Sequence, residues 1–175
     1  MNVLSLFDGM SCGQIALDQL GIKVDNYFAS EIDEQAISVT LKNYPKTVQV
    51  GDITQLDVST LPSINLLYGG SPCQSFSNAG NGKGFDGESG LFWEFVRVLK
   101  EAKPKYFLLE NVVMKKEWQD TITEALGVEP IKINSSLVSA QNRNRLYWTN
   151  IPNVDQPKDK GVSLQDILFR DVNEK

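Results

Sequence analysis

Ile64-Asn65-Leu66-Leu67-Tyr68-Gly69-Gly70-Ser71-Pro72-Cys73 is the stretch that decides the fold. An apolar run of strand length gives way to two glycines and then to a single thiol. That order belongs to an α/β sheet, which holds its ligands outside the carboxyl ends of its strands. Cysteine is among the most buried residue types and usually packs as a small hydrophobe. Its thiolate is nonetheless a strong nucleophile, although a free thiol with a pKa of about 8.5 is only a few per cent ionised near neutrality. Which of these Cys73 is depends on the residues around it.

Outward from this strand, apolar segments of strand and helix period alternate, which predicts a mostly parallel sheet covered by helices on both faces. Val3 to Phe7 reads as a strand closing in Asp8-Gly9, and Gln14 to Leu20 as a helix with Ala16, Leu17 and Leu20 on one face and Gly21 at its C′ position. Tyr27 to Ser30 is the second strand. Asp33 caps a helix whose apolar face is Ala36, Ile37, Leu41 and Tyr44, and Pro45 stops it. Val48 to Val50 is a short strand. Leu91, Phe92, Phe95, Val96 and Leu99 trace a helix before the strand Tyr106 to Leu109. Trp118, Ile122, Ala125 and Leu126 trace another, ended by Gly127. Ile131 to Ile133 and Leu146 to Thr149 are late strands, the last expected to run antiparallel. Two regions interrupt the pattern. Residues 78 to 90 carry five glycines directly after the cysteine and read as a lid. From Pro152 a charged stretch leads into Ser163-Leu164-Gln165-Asp166-Ile167-Leu168, a short amphipathic turn opened by a capping box of Ser163 and Asp166.

Composition narrows the function classes. The 175 residues suffice for one domain that buries roughly 70% of its unfolded surface. With two cysteines and no histidine, a disulfide framework, the usual zinc patterns and the Ser-His-Asp triad are excluded, and no metal site is expected. Proton transfer falls to carboxylates, water or backbone. The chain opens directly into a strand and has no stretch near the roughly 18 apolar residues of a membrane span, so a reducing, cytoplasmic location and no membrane partner are expected. A net charge of −5 argues against a nucleic-acid binder with a basic surface all round, though not against a local basic groove.

The first strand-to-helix turn, Leu6-Phe7-Asp8-Gly9-Met10-Ser11-Cys12-Gly13, stands where glycines let a ligand approach the backbone at a helix N-terminus. Glu31 ends the second strand about 20 residues on, where an acid grips ribose hydroxyls. Asp52, after the third strand, is placed to accept from an adenine amino group. The pattern is not Gly-x-Gly-x-x-Gly, so a nucleoside cofactor smaller than a dinucleotide fits better. Equally, the glycine turn alone can be no more than a tight connection.

Taken together and in order, Phe7-Asp8-Gly9 to Gly13, Glu31, Asp52, Gly70-Ser71-Pro72-Cys73, Gly90-Leu91-Phe92, Glu110-Asn111-Val112 and Gln141-Asn142-Arg143-Asn144-Arg145 resemble the cytosine carbon-5 DNA methyltransferases, in wording closest to their de novo branch. The resemblance covers about residues 2 to 150. It implies a Rossmann-like methyltransferase fold, S-adenosylmethionine as cofactor, held by Phe7, Asp8, Gly9, Gly13, Glu31, Ile32, Asp52, Ile53, Pro72 and Leu91, and DNA as substrate. It also implies a catalytic set of Cys73, Glu110, Arg143 and Arg145. Cys73 adds to carbon 6 of a flipped cytosine so that carbon 5 can accept the methyl group. Glu110, as a buried carboxyl that holds a proton, serves ring N3, and Arg145, two residues past Arg143 on an extended strand, supports the carbonyl oxygen. Arg143 holds Glu110 or the loop, unless both arginines only make surface ion pairs. Asn111 positions the Pro72-Cys73 loop, and water removes the carbon-5 proton.

Family members usually continue into a target-recognition region and a final helix that covers the cofactor, and neither is expected in this chain. Residues 1–150 then form the catalytic domain and 151–175 a linker and short tail. Half of a two-chain enzyme, possible as a partner-dependent or homo-oligomeric assembly, a truncated or prophage-type remnant and a silent accessory subunit are the competing explanations. The first is preferred because Cys73, Glu110 and Arg145 are all present. A transfer-RNA cytosine methyltransferase is the alternative substrate class.

Overall fold

The computed structural model describes residues 1–72 and 88–168. Cys73, most of the expected lid (78–87) and the last residues of the tail (169–175) lie outside the described residues. A seven-stranded sheet organises the fold: β1 (Asn2–Leu6), β2 (Asn26–Ser30), β3 (Val48–Gln49), β4 (Leu66–Gly70), β5 (Tyr106–Val112), β6 (Ile131–Asn134) and β7 (Asn144–Thr149). Their order across the sheet is β3-β2-β1-β4-β5-β7-β6. The first five strands run parallel, and β7 lies antiparallel to both β5 and β6. The order in which strands are added reverses between β1 and β4, so the carboxyl ends of both strands open on one crevice, the switch point at which such sheets bind ligands.

Alternation along each strand separates two faces. Leu4, Leu6, Leu67, Phe107, Leu109 and Trp148 join one large apolar core with α3 (Phe92–Ala102) and α4 (Lys116–Leu126), which contribute Phe92, Phe95, Val96, Val98, Ile122 and Leu126. Each buried Phe or Leu there contributes roughly 1.5–3 kcal/mol. Val3, Tyr27, Ala29 and Leu66 turn to the other face, where Leu17 of α1 (Cys12–Gln19) meets them. α2 (Glu34–Asn43) starts on Asp33, whose Oδ1 accepts from the N–H groups of Gln35 at 2.8 Å and Ala36 at 2.9 Å.

Three local expectations are corrected. Phe7 does not extend β1: its φ is 55°, so the strand stops at Leu6 and the turn begins in the left-handed region. Gly69 and Gly70 do not end β4 but belong to it; a Cβ on Gly69 would stand 2.6 Å from Leu6 O, so the residue is small because β1 lies against it. On α2 the buried residue is Thr40, while Leu41 is exposed, because the helix rests on the turn after β1 through a Thr40 Oγ1 hydrogen bond to Gly9 O at 3.3 Å rather than on an apolar stripe. The tail forms α5 (Leu164–Ile167), opened by Ser163, whose N–H and Oγ–H both donate to Asp166 Oδ2 at 2.7 Å.

Candidate functional site

Two clefts open at the carboxyl ends of the parallel strands. The first, about 210 Å³, is lined by Phe7, Ser30, Glu31, Ile32, Asp52, Ile53, Pro72 and Leu91. Glu31 follows β2 directly, and its carboxylate is fixed by backbone donors: Oε2 accepts from Gly9 N–H at 2.8 Å, Oε1 from Ile32 N–H at 2.8 Å and Asp33 N–H at 2.9 Å. Asp52 caps the short 3₁₀ turn Ile53–Gln55, its Oδ1 accepting from Thr54 N–H at 2.8 Å, and its Oδ2 makes no hydrogen bond among the described residues. Apolar walls and two pre-oriented carboxylates suit a nucleoside, whose ribose hydroxyls and exocyclic amine are donors.

Asp8, Gly9 and Gly13 stand apart from that lining, Gly9 reaching it only through its N–H bond to Glu31. Asp8 N–H donates to Ser30 O at 3.1 Å while its carboxylate turns under the helix. A Cβ on Gly13 would lie 1.8 Å from Tyr68 Oη, so a side chain of the protein occupies the space this glycine leaves. Within five residues, Phe7, Gly9 and Ser11 all have positive φ, of 55°, 58° and 59°. For the two that are not glycine this costs about 1–3 kcal/mol each and persists only where surrounding contacts impose it.

The second cleft, about 350 Å³, is lined by Gly70, Ser71, Pro72, Glu110, Asn111, Val112, Arg143 and Arg145. Glu110 lies in β5, and Arg145 Nε meets its Oε1 at 2.7 Å. The expected burial of Glu110 is not found: its side chain keeps 31% of its surface exposed, Arg145 keeps 17%, and an arginine rather than an apolar wall stands beside the carboxylate. A Cβ on Gly70 would come within 2.9 Å of Glu110 Oε2, so this glycine makes room for the carboxylate. Arg145, not Arg143, is the partner of Glu110. The Arg143 guanidinium makes no hydrogen bond or ion pair among the described residues, while its backbone is fixed by Asn134 Oδ1, which accepts from Arg143 N–H at 3.0 Å. Tyr147 pairs with Glu110 across β5 and β7, and burial, with the Glu110 charge, pushes its phenol above the usual range. Asn111 is buried and donates from Nδ2 to Ser71 O at 3.2 Å and Ser71 Oγ at 3.0 Å, tying β5 to the residues just before Cys73.

Pro72 lines both clefts, so the residue preceding Cys73 is the wall between them. Two residues that the sequence did not single out, Tyr27 and Tyr68, stand beneath the glycine turn. Their only signal was a phenol in each of two largely buried strands. Among the described residues there is no group of three or more His, Cys, Asp or Glu side chains able to hold a metal, and no helix long and apolar enough to cross a membrane.

The C-5 cytosine-specific DNA methylase family matches residues 1–167. The orphan methyltransferase M.SPRI of Bacillus phage SPR is 35% identical over 189 residues, covering all of this chain and 43% of the relative. The type II methyltransferase M.NlaX of Neisseria lactamica is 34% identical over 191 residues, covering 99% of this chain and 61% of the relative. The chain thus spans less than two thirds of the length of these curated relatives. Among solved structures, a triple mutant of DNMT2 from Spodoptera frugiperda superposes with a TM-score of 0.71 over 98% of this chain and 60% of that one, at 23% identity, a likeness of fold alone.

Proposed function

The chain belongs to the C-5 cytosine-specific DNA methylase family, and we propose that it is the catalytic portion of a cytoplasmic DNA (cytosine-5)-methyltransferase of the restriction-modification kind. Residues 1–150 form its catalytic domain and 151–175 lead toward a recognition part or partner subunit. The observation that carries this reading is the shared wall: one cleft with two carboxylates and one with a carboxylate-arginine pair meet at Pro72, the residue that precedes Cys73 in the sequence.

Methyltransferases of this family and fold use S-adenosylmethionine as a rule, and when bound it supplies an electrophilic methyl group. Glu31 would accept from the ribose hydroxyls and Asp52 from the adenine amine, with Phe7, Ile32, Ile53, Pro72 and Leu91 as the apolar walls of that cleft. Cytosine reaches the second cleft flipped out of its duplex. The Cys73 thiolate adds to carbon 6, which makes carbon 5 nucleophilic. Glu110, oriented by Arg145, donates a proton to ring N3 as charge develops there, and Arg145 supports the carbonyl oxygen. With no histidine in the chain, water takes the carbon-5 proton.

Cys73→Ala is expected to abolish methyl transfer and keep cofactor binding, measured by tritiated methyl incorporation into DNA and into transfer RNA with candidate partner chains supplied. DNA carrying 5-fluorocytosine is expected to add its mass covalently to the native chain but not to the variant. Label reaching DNA through Cys73→Ala would overturn the nucleophile assignment, and label in transfer RNA alone would overturn the substrate class.

A further inference from the structure

Beneath the first turn of α1 the cofactor cleft rests on a polar cluster. Asp8 Oδ1 accepts from Tyr27 Oη at 2.6 Å, and Asp8 Oδ2 accepts from Ser11 Oγ. Tyr27 Oη also shares a hydrogen bond with Tyr68 Oη, the two rings meeting edge-on at 6.3 Å. Gln14 Nε2 completes the set, donating to Ser11 Oγ at 3.2 Å and Thr47 Oγ1 at 2.8 Å. Ser11 and Tyr27 are buried. Burial, reinforced by the Asp8 charge, pushes both phenols far above the usual tyrosine range, so they stay protonated and able to donate.

These contacts act on the most distorted backbone in the described chain. A left-handed Phe7 and a left-handed Ser11 bracket Asp8, and such conformations persist only where the surroundings over-determine them. The doubly held carboxylate lies between them, and it acts beside the Asp8 N–H bond to Ser30 O and the Thr40 Oγ1 bond to Gly9 O. The turn in turn sets the cleft: Phe7 is part of its wall, and Gly9 N–H orients the Glu31 carboxylate. Gly13 fits the same design, since only a residue without Cβ lets the Tyr68 hydroxyl pass under the helix.

We propose that Tyr27 and Tyr68 are positioning residues of the cofactor cleft, locking Asp8 and, through it, the left-handed turn that presents Phe7 and Gly9. The proposal rests on the assignment of that cleft to S-adenosylmethionine. It is tested on the full chain by titration calorimetry with S-adenosylhomocysteine, beside ligand-free thermal unfolding, for the wild type, Tyr27→Phe, Tyr68→Phe and Glu31→Ala.

Loss of one hydrogen bond to a carboxylate is expected to raise the dissociation constant about tenfold in Tyr27→Phe. Tyr68→Phe, which keeps the Tyr27 bond to Asp8, is expected to raise it about threefold. In methyl transfer, Tyr27→Phe raises KM for the cofactor and leaves kcat within about twofold, since the residue touches no reacting atom. If Tyr27→Phe does not fold, Tyr68→Phe carries the test, and unchanged affinity there overturns the proposal. Weakened binding in Glu31→Ala beside wild-type affinity in both phenylalanine variants overturns the tyrosine proposal and leaves the cofactor reading standing. A wild-type chain that binds no S-adenosylhomocysteine removes both. Lowered unfolding temperatures with unchanged affinity and KM would show a merely structural role and also overturn it.

Discussion

The two faces of the sheet are built on different principles. Against α3 and α4 the strands turn large apolar side chains into a dry core that includes fully buried Trp148, Phe92 and Phe95. Against α1 they turn Val3, Ser5, Tyr27, Ala29, Leu66 and Tyr68, and the buried apolar residue the helix returns is Leu17. Met10 and Ile15, which could have thickened that layer, point outward with 56% and 45% of their surfaces exposed. The two faces thus divide the work unequally: one supplies most of the burial free energy and also backs the cleft walls Phe7, Ile53 and Leu91, and the other gives up burial to hold a distorted turn in place.

The strongest way to break this contrast is on the dry face. Phe95→Ala is expected to cost about 3–5 kcal/mol in urea unfolding while leaving the cofactor affinity of the folded protein unchanged. A loss under about 1 kcal/mol would mean that the two faces do not differ in this way. Gly13→Ala comes next. Its new Cβ would meet Tyr68 Oη, which the Tyr27 bond prevents from swinging away, so a loss of about 1–3 kcal/mol is expected, with weaker S-adenosylhomocysteine binding, which Phe95→Ala lacks. Smallest is Ile15→Ser, expected within about 0.5 kcal/mol by the same unfolding assay. A larger loss there would show that the outer face of α1 is covered.

The strand and helix order was legible in the sequence because each apolar period is local: Phe92, Phe95 and Val96 lie within two turns, and Val3 to Leu6 within one strand. The cleft carboxylates were legible for the same reason, Glu31 directly after the second strand and Asp52 shortly after the third. What escaped was set by distance along the chain. The phenols of Tyr27 and Tyr68 meet across 41 residues, and no local pattern announces the pair. Which arginine serves Glu110 is likewise a matter of register: Val112 pairs with Arg145 and Glu110 with Tyr147, which sets Arg145 diagonally beside the carboxylate. The glycines misled in an instructive way. Gly70 and Gly13 read as residues for turns or ligand approach, whereas each makes room for a side chain of the protein itself, Glu110 and Tyr68.

Because β7 runs against its parallel neighbours, it delivers the chain to the rim opposite the clefts, where Asn150 accepts from Phe107 N–H at 2.8 Å and donates to Lys105 O at 3.1 Å. The polypeptide then climbs back: Gln156 Nε2 donates to Lys132 O, and Lys160 N–H donates to Leu137 O at 2.8 Å, just past the upper end of β6. Part of the outermost ladder on that side is thereby occupied by the molecule's own return segment, which spoils it as a template for a foreign strand. The opposite margin, β3 with its exposed Val48, has no such strap among the described residues, so any self-association by strand addition would begin there.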